Sequence, residues 1–241
     1  MKFSVASLAA LPLLAAAAPA PPVDPPTPSL PFTVKAWQPR PHKVGNDKRI
    51  IDFTNVPTIE AHGRHFFTQK SGGSPSTYCP EQVGDACPPG NETVLIGTSG
   101  LNTLVPGGQQ LYVEPNGAVG FTQAHSVAYP PGSNFGGFTY SPGQQVSYWG
   151  YEGFGAKDFM ACPPNKTTVP TVPPTEPEGR RRAFGTRDEG EDNGWPADTY
   201  FQIFANFANA TVPSGDVADC FDFQAVVIDW TQEGAAAWQY V

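Results

Sequence analysis

Beyond its first 17 residues this sequence has no apolar run long enough to cross a bilayer, which takes about 20 residues. It has no C-x-x-C pair, no phosphate loop and no dinucleotide fingerprint. Charge is sparse, at 15 % of side chains, and basic residues are the scarcer kind, 14 against 22 acidic, for a net −8. These absences exclude whole classes. A zinc site is not expected from the cysteines, and no cofactor is expected. An acidic surface repels nucleic acid and anionic lipid, since both are held by cationic contacts, so neither is expected as a partner. Residues 234–241 are too short and too polar for the tail of a lipid-anchor signal.

What is present points to export. Lys2 supplies a positive start and residues 5–17 form a short run of mainly Ala and Leu. Ala15 and Ala17 stand at −3 and −1 of a cut before Ala18, the pattern of a secretory signal peptide over residues 1–17. The alternative, a membrane anchor, is disfavoured by length. Four cysteines, Cys79, Cys87, Cys162 and Cys220, allow three pairings, of which the spacing favours Cys79–Cys87 and Cys162–Cys220. Three N-x-[ST] sequons offer glycan acceptors at Asn91, Asn165 and Asn209.

With 28 Pro and 25 Gly, the chain reads as many short strands broken by turns. Candidate strands lie at 49–54, 64–68, 93–97, 109–114, 118–122, 135–140, 145–149, 157–162, 199–206, 220–229 and 236–240. Phe201, Ile203, Ala205 and Phe207 alternate, as do Phe221, Phe223, Ala225 and Val227, although residues 201–211 also fit a helical pattern. Asn116-Gly117 between two apolar runs signals a hairpin. The expected fold is all-β, a single domain forming a sandwich or closed barrel, with a β-trefoil as the alternative. Residues 18–46 read as a disordered Pro-rich leader, and 47–241 as the β domain. Within it, 163–198 reads as a disordered insertion carrying Arg180-Arg181-Arg182, which is a solvated charge run or a processing site after Arg182.

Chemistry is hard to find. His125 in Ala124-His125-Ser126 lacks the nucleophile and oxyanion turn of a serine protease, so it reads as a histidine at a strand end. His62 and His65 flank Gly63-Arg64, and on one strand they would face opposite sides, which argues against a metal site. Asp158, Asp219, Asp222 and Asp229 are available for a glycosidase pair or are simply solvated. Tyr148-Trp149-Gly150-Tyr151 is the densest aromatic patch. Its rings are either core or a platform for stacking on sugar, which makes Tyr148, Trp149 and Tyr151 candidate carbohydrate contacts.

A set of longer stretches carries more information. They are Tyr78-Cys79-Pro80; Ala86-Cys87-Pro88-Pro89-Gly90-Asn91-Glu92-Thr93; Val105-Pro106-Gly107-Gly108-Gln109-Gln110-Leu111-Tyr112-Val113; and the run from Gly117 through Phe121-Thr122-Gln123-Ala124-His125-Ser126. With them go Ala161-Cys162-Pro163, Tyr200-Phe201-Gln202-Ile203-Phe204-Ala205 and Ala237-Trp238-Gln239-Tyr240. Together these resemble the fungal cell-wall protein PhiA and its relatives, often labelled IgE-binding allergens, over about Ile50 to Val241. The resemblance implies a secreted, wall-associated protein that serves development of the spore-bearing cell and the conidium; the leading reading is a non-enzymatic protein with cell-wall polysaccharide as a candidate partner. It transfers no catalytic residues. The alternatives are a secreted carbohydrate-binding protein or effector, and a glycoside hydrolase with an unrecognised carboxylate pair.

Overall fold

The computed structural model describes residues 25–38, 56–69, 73–164 and 200–241. Strands in chain order are β1 Phe32–Trp37, β2 Thr58–His62, β3 His65–Gln69, β4 Thr77–Tyr78, β5 Leu95–Ile96, β6 Gly100–Leu101 and β7 Gln109–Val113. They continue with β8 Val119–Phe121, β9 Phe138–Ser141, β10 Ser147–Tyr151, β11 Phe159–Cys162, β12 Phe201–Ala205, β13 Phe221–Asp229 and β14 Gln239–Tyr240. The remaining regular elements among the described residues are short 3₁₀ turns.

Pairing closes on itself. β1–β2–β3–β12–β11–β13 and back to β1 form an antiparallel circuit of six strands, so the molecule is a closed barrel and not a sandwich. Closure removes sheet edges that would otherwise invite pairing with other chains. Alternation fills the interior. Phe32, Val34 and Ala36 of β1 share one buried cluster with Ile59, Ala61, Phe66, Phe159, Ala161, Ile203, Phe223, Ala225 and Val227. Each fully buried Phe-sized side chain there contributes roughly 1.5–3 kcal/mol.

Two additions build on the barrel. The series β5–β6–β7–β8 spans from β1 to β3, and the β9–β10 hairpin continues from β13 beside β11. The C-terminal segment plugs the structure. Tyr240 is 1 % exposed; its hydroxyl donates to the Glu92 carbonyl (2.8 Å) and accepts from Val94 N (3.1 Å). The buried Gln109 amide closes a reciprocal pair with the Tyr240 backbone, its Oε1 accepting at 2.7 Å and its Nε2 donating at 2.9 Å.

The barrel starts earlier than the composition suggested. Phe32–Trp37 falls within the expected leader, yet it pairs along β13 from Phe32↔Asp229 to Trp37↔Gln224. Its alternating Phe32, Val34 and Ala36 supply enough apolar surface to outweigh the neighbouring prolines. The leader boundary at residue 46 is therefore corrected: the β domain includes β1. The signal peptide, the candidate strand at 49–54, Asn165, Arg182 and the insertion from residue 165 onward lie outside the described residues.

Both expected disulfides form. Cys79–Cys87 closes a short loop, and Cys162–Cys220 joins the end of β11 to the residue before β13. For sequence separations of 8 and 58, the chain-entropy model assigns about 2.5 and about 4 kcal/mol.

Candidate functional site

The Tyr148-Trp149-Tyr151 patch is mostly interior. Strand alternation in β10 turns Trp149 and Tyr151 inward, where they are 2 % and 0 % exposed. Trp149 stacks on Phe138 at 5.6 Å with planes 2° apart, and on Phe159 at 4.6 Å. Its Nε1 donates to the Thr98 carbonyl at 2.9 Å. With the Trp149 ring stacked on two aromatic neighbours and its indole N–H satisfied, Trp149 and Tyr151 belong to the core. Tyr148, the outward residue of the three, is half-buried. Of the two readings of this patch, core or sugar platform, Trp149 and Tyr151 take the first.

An aromatic cluster with one exposed ring, Tyr129, lies elsewhere, over the outer face of β7, β8 and β3. The register sets Tyr112 opposite Gly120, and Gly120 opposite His65. Leu111 and Val113 point into the core, so alternation sets Tyr112 and Glu114 on the other face of β7, where Tyr112 is nevertheless only 2 % exposed. Gly120 makes room for the Tyr112 ring, because a Cβ there would stand 2.8 Å from Tyr112 Cε2 and 3.1 Å from the Arg64 carbonyl. The segment 127–135 then folds over Tyr112. Tyr129 lies 4.7 Å from Phe135 at 82°, and Phe135 lies 5.6 Å from Tyr112. A two-way backbone pair between Asn134 and Val113, 2.9 Å in each direction, pins this segment to β7. Tyr129 remains 47 % exposed.

Polar groups border the rings. His65 Nε2 and Glu114 Oε1 are 3.0 Å apart, with side chains 28 % and 15 % exposed. Arg64 is exposed and holds φ at 62°, a left-handed value that costs a non-glycine residue roughly 1–3 kcal/mol. Burial pushes the Tyr112 phenol above its ordinary range and Glu114 adds to the rise, while Arg64 opposes it. The site thus offers a half-exposed ring, a guanidinium and the hydrogen-bonded His65–Glu114 pair. Such a set can stack on and hydrogen-bond an uncharged polar ligand.

The other candidates are scattered. His62 and His65 pair directly across the β2–β3 turn, so they are not on one strand facing opposite ways. Each has its own partner, Ser76 Oγ at 2.8 Å for His62 and Glu114 for His65. His125 is exposed in the turn after β8 with φ 57°. Asp222 and Asp229 are seven residues apart on β13, about 23 Å at strand rise, whereas a glycosidase pair needs about 5–10 Å. Asp222 accepts from Asn206 Nδ2 at 2.9 Å, and Asp219 sits in the 3₁₀ turn before β13. Asp158 reaches over Gly150 toward Thr139. Burial of that carboxyl raises its pKa even though the residue as a whole is exposed, and Glu152 adds to the rise. Among the described residues, no three His, Cys, Asp or Glu side chains gather where they could hold a metal ion. Asn91 and Asn209 are exposed.

Comparison with known proteins places the molecule. Residues 50–178, more than half of the 241, match the model of the PhiA-like secreted protein. The chain belongs to the PhiA-like secreted protein family. An uncharacterized secreted protein of Arthroderma benhamiae is 46 % identical over 185 residues, covering 76 % of this chain and 76 % of the relative. No solved structure matches. This PhiA-like protein is secreted, and no helix among its described residues is long and apolar enough to cross a membrane. The matched stretch contains every residue of the outer aromatic surface, from Arg64 to Phe135.

Sequence reasoning passed over that surface because Leu111-Tyr112-Val113 reads as core. The signal available was the hairpin register: Asn116-Gly117 fixes the turn, and two-residue alternation then sets Tyr112 against Gly120 on the outside.

Proposed function

We propose that this protein is a non-enzymatic, wall-associated glycoprotein serving development of the spore-bearing cell and the conidium. On this reading it holds neutral cell-wall polysaccharide on the exposed Tyr129 ring and the partly exposed Phe135 beside it, with the buried Tyr112 as their support. The observation that carries the reading is the half-exposed Tyr129 ring. It is braced edge-on by Phe135, near the hydrogen-bonded His65–Glu114 pair. A tyrosine presents a large ring with little conformational entropy to lose, which suits a sugar ring's apolar face.

Two further observations support it. A net charge of −8 disfavours polyanionic ligands and leaves neutral polymers unopposed. The exposed acceptor side chains of Asn91 and Asn209 suit a glycan-bearing surface on a secreted chain.

The test is depletion of purified protein from solution by insoluble chitin, by β-glucan and by whole cell wall, with released sugar assayed in each supernatant. Saturable depletion without sugar release is expected. Sugar release would overturn the non-enzymatic reading, and no depletion by any polymer would overturn the wall contact.

A further inference from the structure

The three residues of Asn91-Glu92-Thr93 have very different surroundings. Asn91 is exposed. Thr93 is 2 % exposed; its Oγ1 accepts from Ala61 N at 2.8 Å, and its own N donates to the buried Glu60 Oε2 at 3.1 Å. Glu92 is tied as well. Its carbonyl accepts from the Tyr240 hydroxyl at 2.8 Å, and its carboxylate accepts from Trp230 Nε1 at 3.1 Å and Gln232 Nε2 at 3.3 Å. The threonine that completes the sequon is therefore also the hydroxyl that fastens β2 to the segment leading into β5. In Asn209-Ala210-Thr211, by contrast, both Asn209 and Thr211 are exposed.

A transferase that demands N-x-[ST] has to read the hydroxyl together with the asparagine. We infer that Asn91 accepts its glycan only before β2 and the 87–94 segment close over Thr93, whereas Asn209 stays readable in the folded protein. The transfer joins Asn91 Nδ2 to C1 of an oligosaccharide carried on a lipid pyrophosphate. The C1–O bond breaks, the lipid pyrophosphate leaves with the electron pair, and the amide nitrogen releases one proton to solvent. Glycan occupancy at Asn91 then reports how long that layer stayed open. The inference rests on passage through the secretory route alone and stands whether or not the protein binds wall polymer.

The experiment uses the full chain made in a host without N-glycosylation and folded with both disulfides formed. It is offered to a purified oligosaccharyltransferase and lipid-linked oligosaccharide, in parallel with the same chain reduced and unfolded. Glycopeptide mass spectrometry reads each site. Asn91 modification is expected to fall at least about tenfold on folding, because exposing Thr93 requires local opening, while Asn209 falls much less. Equal modification of Asn91 in both forms would overturn the inference, as would an equal loss at both sites. In secreting cells, a brief reductant pulse that delays folding should raise occupancy at Asn91 and leave Asn209 unchanged; no rise at Asn91 would count against the inference.

Discussion

At the scale of single residues, the most informative positions are those where a side chain is missing or misplaced by ordinary rules. Gly120 is legible in sequence only as another glycine, yet the ring of Tyr112 occupies the space its Cβ would need. Gly120→Ala should destabilise the fold by about 1–3 kcal/mol, as overpacked sites do. The urea midpoint is the check, and an unchanged midpoint would show that the ring is free to move aside. Glu60 is the other case. It sits mid-strand at 4 % exposure, and burial pushes its pKa up against the opposing hydrogen bonds from Thr93 and Thr58. A carboxyl whose folded pKa lies above its unfolded one binds protons more tightly in the fold. Stability from this group therefore rises as pH falls from neutral toward the ordinary carboxylate range, and levels off below it. Glu60→Gln keeps an acceptor for Thr93 N without the charge. It should be more stable than the parent at neutral pH, with the difference shrinking as the solution is acidified. A difference independent of pH, from urea titrations at pH 7 and pH 5, would contradict this. No local pattern announces the burial of Glu60, since the cover comes from residues about thirty positions away.

At the scale of elements, much of the barrel was readable and the reasons are local. Asn116-Gly117 makes the β7–β8 turn, and the alternation of Phe221, Phe223, Ala225 and Val227 makes β13. Strands of two residues, β4 and β6, carry no period to read; they exist because neighbours supply the hydrogen bonds. β1 was obscured by the prolines before it, although Phe32, Val34 and Ala36 do alternate. The pairing of β11 with β12 has a consequence for the long connection between them. Cys162 lies opposite Gln202 and is bonded to Cys220, so the hairpin base is closed without help from the connection. Replacing residues 165–199 by a short Gly-containing turn should leave melting cooperative and the midpoint equal or higher, since a shorter connection costs less entropy to close, about 0.6 kcal/mol per halving of length. Loss of a cooperative transition in a thermal melt would mean that the connection is part of the fold.

At the scale of the whole molecule, the barrel, the C-terminal plug and two disulfides make one acidic body. On it the Trp149 cluster is internal and the Tyr129 surface external. This division decides which substitution tests function. Trp149→Ala would open the core, at a cost of about 3–5 kcal/mol, and confound binding with folding. Tyr129 is half-exposed, so its removal leaves the core alone. The most direct measurement is the binding isotherm of Tyr129→Ala against the parent protein on whole cell wall, with melting curves showing both folded. A loss of retention by about two- to tenfold, the worth of one aromatic stacking contact, is the predicted result. An isotherm superimposable on the parent's would contradict the claim that this surface holds the polymer.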